Sequence, residues 1–363
     1  MAEARGRDNF VAGPVHSRGV RRSLHSQRIF AVAVAVASPG CLPEAPPPWQ
    51  VDHTIVAAQG VEVVARGPWG SAASRDDREV AEVMPGDTIR PRPFVIGPDG
   101  PIDEEDIRPR YFYCRPQTCL GDVSAAGGVR DCDDEEPVPP RSTCELRGGQ
   151  LTLGAMTELI QVSAIFMVSG TPDGPGGAGC VERMRGEAGD AESLRECLLR
   201  IELVPFGPTW RLLLLAAASG LADAVPLSAI TPDVTAADPN LYPGAPPLRV
   251  LVTDPGGEGR ERTAQTGDTI TVRPGAEVVV TAEVDPADAQ RYFYVDSGNQ
   301  FSPANEALTI GWLFTEFVEW TAPDLLTVAW TMPGRPGPFH LYALVGDGDA
   351  ITPTWLRFEI EAP

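Results

Sequence analysis

Val278, Val280, Ala282 and Val284 recur at every second position, with Glu277, Thr281 and Glu283 between them. Farther on, Phe339, Leu341, Ala343 and Val345 alternate with His340 and Tyr342. Leu356, Phe358 and Ile360 alternate with Arg357, Glu359 and Glu361. A period of two with one apolar face predicts half-buried antiparallel strands. His340 falls on the opposite face, as a surface or hydrogen-bonded histidine. Thirty-seven prolines and 37 glycines cut the apolar runs into short lengths, as a β-sandwich requires. Helix is scarce, with candidates only at residues 190–199 and 216–225. The expected class is all-β: two tandem antiparallel Ig-like sandwiches.

The tandem reading comes from internal repetition. Gly86-Asp87-Thr88-Ile89 recurs as Gly267-Asp268-Thr269-Ile270, Arg92-Pro93 as Arg273-Pro274, and Arg110-Tyr111-Phe112-Tyr113 as Arg291-Tyr292-Phe293-Tyr294, all at an offset of 181. Three blocks in constant register predict a duplicated module. Toward the back ends, Leu198-Leu199-Arg200-Ile201 corresponds to Leu325-Leu326-Thr327-Val328, and Leu212 to Leu215 to Leu341 to Leu344, at an offset near 130. The first copy therefore carries about fifty extra residues. The expected domains are module 1 at 59–240, with an insertion at about 114–197, and module 2 at 246–363. The insertion is rich in Gly, Pro and acids, and is expected to bury little apolar area.

Residues 29–37 form an unbroken apolar run preceded by Arg21, Arg22 and Arg28 and followed by Ser38-Pro39-Gly40-Cys41. As a helix the run spans only about 14 Å, too short to cross a bilayer. A basic start, an apolar core and a small residue before a cut describe a bacterial signal at 1–40. Gly40-Cys41 resembles the lipobox of bacterial lipoproteins, which implies acylation of Cys41. A proline-rich spacer is expected at 41–58. The tail, from Trp330-Thr331-Met332-Pro333 through Asp347-Gly348 to Trp355 and Phe358-Glu359-Ile360, resembles the closing strands of bacterial Ig-like and PKD-like surface modules. The whole chain is similar to bacterial lipoproteins built from such sandwiches. The resemblance implies a surface or periplasmic location in the cell envelope and no activity; Leu42-Pro43 behind the anchor, unlike an inner-membrane retention signal, favours the outer membrane.

Charge narrows the partners. The chain has a formal net charge of −21 with no lysine. Residues 1–40 hold six arginines against Glu3 and Asp8, so removing their net +4 takes −21 to −25. Such acidity excludes nucleic-acid binding through a basic patch. The expected partners are the membrane, through Cys41, and an envelope protein or glycan.

Six cysteines remain: Cys114, Cys119, Cys132, Cys144, Cys180 and Cys197. An even number in an exported chain predicts three disulfides, with fifteen possible connectivities. Pairing of neighbours (114–119, 132–144, 180–197) is the expected one. The competing arrangement is a zinc site on the first four, whose spacing lacks paired C-x₂-C knuckles.

Catalytic motifs are missing: there is no HExxH, GxSxG or Walker pattern. Gly174-Pro175-Gly176-Gly177-Ala178-Gly179 formally matches GxGxxG, but proline and the missing βαβ context predict a loop. No catalytic residue, cofactor or metal ligand is expected. Two weaker readings stay open. Carboxylates at Asp103 to Asp106, Asp131 to Glu136 and Asp347 with Asp349 could bind calcium. Tyr111, Tyr113, Tyr292 and Tyr294, with Trp312 or Trp320, could form a glycan platform instead of core packing. The leading function is a non-catalytic binding, adhesion or scaffold role. The alternative is a glycan- or calcium-dependent module, or an enzyme, with its site in the insertion.

Overall fold

The computed structural model describes residues 49–69, 80–125, 127–134, 138, 143–154, 163–186, 193–218, 220, 230–236, 240–286, 289–295, 300–347 and 350–362, with Asp134, Tyr294 and Val295 described by backbone alone. The signal, Cys41 and residues 42–48 lie outside them. Strands take 47% of the described residues and helices 14%, which makes the protein all-β.

The first half runs β1 (Ile55–Ala65), β2 (Thr88–Gly97), β3 (Gly100–Ile102), α1 (Glu104–Ile107), β4 (Arg110–Cys114), α2 (Cys119–Ser124), β5 (Arg130–Asp131), β6 (Cys144–Glu145), β7 (Leu151–Thr152), β8 (Ala164–Gly170), α3 (Gly176–Arg185), β9 (Cys197–Leu203), α4 (Thr209–Ala218) and α5 (Pro232–Ala236). One sheet has the order β1-β2-β3, with β7 also on β2; the other is β5-β6-β4-β8-β9. Val61, Ile89, Tyr111, Tyr113, Ile165 and Met167 share the core between them. The pleat turns Phe112, Phe166 and Val168 to the far face, where Val123 of α2 and Val181 and Met184 of α3 cover them. Pro91 and Pro93 are tolerated inside β2 because β7 pairs only with Thr88 and Ile89, and β3 only from Val95 onward. The stretch between has β1 on one side alone, so a missing N–H on the other side leaves no gap.

The second half is a sandwich with a single core. Its strands are β10 (Leu248–Thr253), β11 (Gly259–Ala264), β12 (Thr269–Val272), β13 (Glu277–Ala282), β14 (Arg291–Val295), β15 (Phe301–Asn305), β16 (Thr309–Phe314), β17 (Trp320–Asp324), β18 (Thr327–Thr331), β19 (Gly337–Gly346) and β20 (Ile351–Ile360). The sheets are β11-β10-β13-β18-β17 and β12-β20-β19-β16, with β14 and β15 as a separate hairpin. Val278, Val280 and Ala282 pack against Phe339, Leu341, Phe358, Phe314 and Trp330. Trp330 and Phe339 stack with centroids 5.8 Å apart.

The repeated Gly-Asp pair builds the same local object twice. Gly86 and Gly267 have φ of 93° and 87°, a backbone that glycine adopts without strain. Asp87 N–H donates to Met84 O (3.0 Å) and Asp268 N–H to Gln265 O (3.0 Å). Each aspartate carboxylate accepts the N–H of the residue three before it, at 2.9 and 3.0 Å. Strand pairing then diverges: β2 is antiparallel to β1, whereas β12 is parallel to β20.

Several expectations change. Residues 114–197 bury more apolar area than expected. They supply β5, β6 and β8 to the second sheet of module 1, and every residue of β8 is buried. The described part of the 190–199 helix candidate is not helical: residues 193–196 form a turn and β9 starts at Cys197, because its apolar side chains answer the pleat of β8; residues 190–192 lie outside the described residues. Leu212 to Leu215 lie in α4, not in a counterpart of β19. That helix ends at Ala218, and residues 221–225 of the second helix candidate lie outside the described residues. The glycine run enters α3 at Gly176 instead of forming a loop. The spacer boundary also moves, since β1 starts at Ile55 and the chain is docked from Trp49.

Candidate functional site

That docking joins the two sandwiches. Phe314 N–H donates to Trp49 O (2.9 Å) and Val51 N–H to Phe314 O (2.7 Å), so residues 49–51 extend the sheet beyond β16. The Trp49 ring meets Phe314, Phe317 and Trp320. Val51, Ile96 and Tyr342 are fully buried with Ile55, Phe94, Leu313 and Trp355 around them. Tyr242 adds a polar clamp: its hydroxyl donates to Val61 O (3.0 Å) and accepts from Val61 N–H (2.8 Å). Glycine at position 60 makes room for it, since a Cβ there would lie 2.4 Å from the Tyr242 oxygen.

His340 lies in this contact instead of on the surface. Its ring stacks on Tyr342 and lies tilted against Trp355, with centroids 6.3 and 6.0 Å away. Nδ1 has no hydrogen-bond partner among the described residues. Both faces of β19 are covered, so the apolar alternation indicated one buried face where there are two. The large residues Tyr342 and Trp355 on the supposed outer face were the available signal.

Burial pushes the His340 imidazole below its ordinary value near 6.5. The Arg357 charge adds to this, and Asp99 and Glu359 act against it. A lowered folded pKa means that the unfolded chain binds the proton first as pH falls. Stability therefore drops from about pH 6.5 downward, toward the folded value. Urea unfolding at about pH 7.5 and 5.5 should show a loss that His340→Gln reduces, by at most about 1.4 kcal/mol per pH unit. Equal acid-side losses in both proteins would contradict this.

The six cysteines pair as neighbours: Cys114–Cys119, Cys132–Cys144 and Cys180–Cys197. Each bond ties a covering segment to the five-stranded sheet: β4 to α2, a 3-10 turn (Cys132–Asp134) to β6, and α3 to β9. The four-cysteine zinc arrangement is not formed, because those sulfurs are divided between two disulfides. Five of the six cysteines are buried in the cores on the two faces of that sheet.

The first tyrosine pair belongs to the core. Tyr111 and Tyr113 are 4% and 1% exposed, and their hydroxyls donate to Glu104 and Ser163, each at 2.8 Å. Burial pushes Tyr113 up to about 12, and Tyr111 higher still, with the Glu104 carboxylate adding to the rise. These rings cannot serve as a glycan platform. In the second copy Tyr292 is 41% exposed on the β14–β15 hairpin, but Trp312 and Trp320 pack on the core of module 2. The side chain of Tyr294 lies outside the described residues.

The acidic clusters are spread out. Glu104 is engaged by Tyr111, Asp131 lies 3.2 Å from Arg147, and Asp347 accepts the Ala350 N–H at a hairpin tip. Glu135, Glu136, Gly348 and Asp349 lie outside the described residues. Among the described residues, no three His, Cys, Asp or Glu side chains gather as a metal site would. His53 is exposed beside Asp52.

A cleft of about 450 Å³ lies between the β1–β2–β7 sheet and the Cys132 turn. Thr88, Asp133, Gln150 and Thr152 give it hydroxyl, carboxylate and amide groups, over a floor that includes Val138 and Leu151. The Thr88 and Thr152 hydroxyls lie 2.9 Å apart.

Fold and surface define a class: a pair of joined β-sandwiches, the first stapled by three disulfides and bearing a shallow polar cleft. No protein-family model, curated protein or solved structure matches the chain.

Proposed function

We propose that the protein is exported to a bacterial cell envelope, is anchored there by a lipid on Cys41, and acts as a non-catalytic binding or scaffold module. The three buried disulfides carry this reading, since such bonds persist in oxidising compartments. The described chain begins at Trp49, docked on β16, and four prolines lie in sequence between it and Cys41. A body joined this way suits presentation of a fixed surface near a membrane. Labelling with a clickable palmitate analogue, followed by cell fractionation, tests the anchor. The intact chain should be labelled and sediment with membranes. Cys41→Ser should lose the label and appear in the soluble envelope fraction with all three disulfides formed. Unlabelled protein, or Cys41→Ser retained in the membrane, would overturn the reading.

The cleft favours glycan binding as a second reading. Its hydroxyl, carboxylate and amide groups match the hydrogen-bonding needs of sugar hydroxyls. Titration with soluble peptidoglycan and lipopolysaccharide fragments should show binding that Asp133→Ala and Gln150→Ala each weaken several-fold. Absence of binding to either fragment class would remove this role.

A further inference from the structure

Strand β9 closes one edge of the five-stranded sheet; just past it Val83 bonds to Pro205 and Gly207 on the outer side, but along Leu199–Leu203 no strand pairs there among the described residues. Leu199, Ile201 and Leu203 are 40%, 40% and 55% exposed. They share the sheet face of their partners Val168, Phe166 and Ala164, but the cover from α3 does not bury them. Val204 N–H donates to Ser163 O, and Thr171 N–H to Glu196 O, in the β8–β9 register. Antiparallel alternation then directs the backbone groups of even-numbered residues toward β8. Those of Leu199, Ile201 and Leu203 point away from the sheet. No hydrogen bond reaches them among the described residues. β1 shares an interior cluster with β9, through Val61 and Leu198, but forms no ladder with it. An apolar edge of this kind is a template for another strand.

The sequence of the edge specifies the partner. We propose that β9 pairs antiparallel with β9 of a second copy of this chain, about a two-fold axis at Ile201. In that register Ile201 faces its own counterpart, Leu199 faces Leu203, and Arg200 faces Glu202 in both directions. The three outward residues fall on hydrogen-bonded positions, so each gains both backbone bonds. Arg200 and Glu202 fall on the intervening positions, where opposed side chains are closest. Within one chain these two already form an ion pair at 2.8 Å. Burial still holds the Glu202 carboxyl above its ordinary range, and a second guanidinium opposite it offsets that burial. The leucine–isoleucine stripe becomes continuous across the axis, and two five-stranded sheets become one of ten. The interface is isologous and therefore closed, which blocks further edge-to-edge growth.

Charge reversal tests the register. Sedimentation velocity of the full chain in mild detergent, from low to several hundred micromolar, should show a monomer–dimer equilibrium. Arg200→Glu alone offers two carboxylates along the edge, and Glu202→Arg alone two guanidiniums, so each variant should be monomeric. An equimolar mixture of the two should dimerise again, because every cross-strand contact is then between opposite charges. Restoring a pair inside one chain cannot produce that result. Hydrogen exchange of the unmodified chain is the second readout, and needs no variant to fold. The Leu199, Ile201 and Leu203 amides should slow at high concentration and exchange freely at low. The proposal fails if the chain is monomeric throughout, if either single variant dimerises like the parent, if the mixture stays monomeric, or if those amides ignore concentration.

Discussion

Arg110→Met lowers the stability of the protein by about 3 kcal/mol, while Arg110→Met combined with Glu145→Leu recovers most of the loss. The pair forms where β4 and β6 lie side by side. Nε and Nη2 of Arg110 donate to the two carboxylate oxygens of Glu145, whose side chain is 7% exposed against 25% for the arginine. Removing the guanidinium strands a carboxylate that water barely reaches, and that uncompensated charge is the cost. Removing both charges leaves an apolar contact on a sheet already covered by α2 and α3. Urea unfolding followed by circular dichroism gives the full double-mutant cycle. A single-variant loss below about 1 kcal/mol would mean that solvent screens the pair as it does at a surface. The repeat supplies a control. Arg291 sits over Phe293 at 5.3 Å, as Arg110 sits over Phe112 at 5.7 Å. Arg291 is exposed, so Arg291→Met should change stability by no more than about 1 kcal/mol.

This contrast shows what repetition in the sequence could and could not reveal. Arg-Tyr-Phe-Tyr specifies a strand with an arginine over its own phenylalanine, a local property, and the strand appears twice. The Gly-Asp turn is local as well and is built twice. What each strand pairs with is not local. β4 is the middle of a five-stranded sheet, whereas β14 has only β15. The Val278, Val280 and Ala282 face was legible because one side of β13 meets the core and the other does not. β19 was half legible: its second face is apolar enough to be buried, but the covering surface comes from residues some 250 positions earlier. The same limit applies to β9. Asp190 to Leu199 has helix-forming composition, and only the exposed backbone edge of β8 makes its end a strand. Cysteine pairing was legible by proximity in sequence. The apolar weight of residues 114–197 was not legible in composition, because glycines and acids surround the fully buried run at Ala164 to Val168.

Those glycines have a packing role that substitution can separate from helix propensity. Gly177, in the first turn of α3, should lose about 2–4 kcal/mol on replacement by alanine, whereas Gly121→Ala in α2 should be neutral or stabilise by up to about 1 kcal/mol. Both are helical glycines, and alanine is the better helix former at each. The surroundings decide the sign. A Cβ on Gly177 would lie 2.6 Å from Val168 O, 2.7 Å from Arg110 N and 2.8 Å from Arg108 O, all backbone atoms of β8, β4 and the α1–β4 connection. None can rotate aside, so α3 must lift from β4 and β8. That motion opens the contact among Phe112, Phe166 and Val181 and strains the hydrogen bond from Gly177 N–H to Arg108 O. A Cβ on Gly121 meets nothing within 4 Å. Thermal unfolding of the two variants with all three disulfides intact gives opposite shifts if close approach of helix to sheet is what the glycine run provides. A Gly177→Ala protein that melts with the parent would show that α3 tolerates displacement, and that its seat is set by the Cys180–Cys197 bond instead.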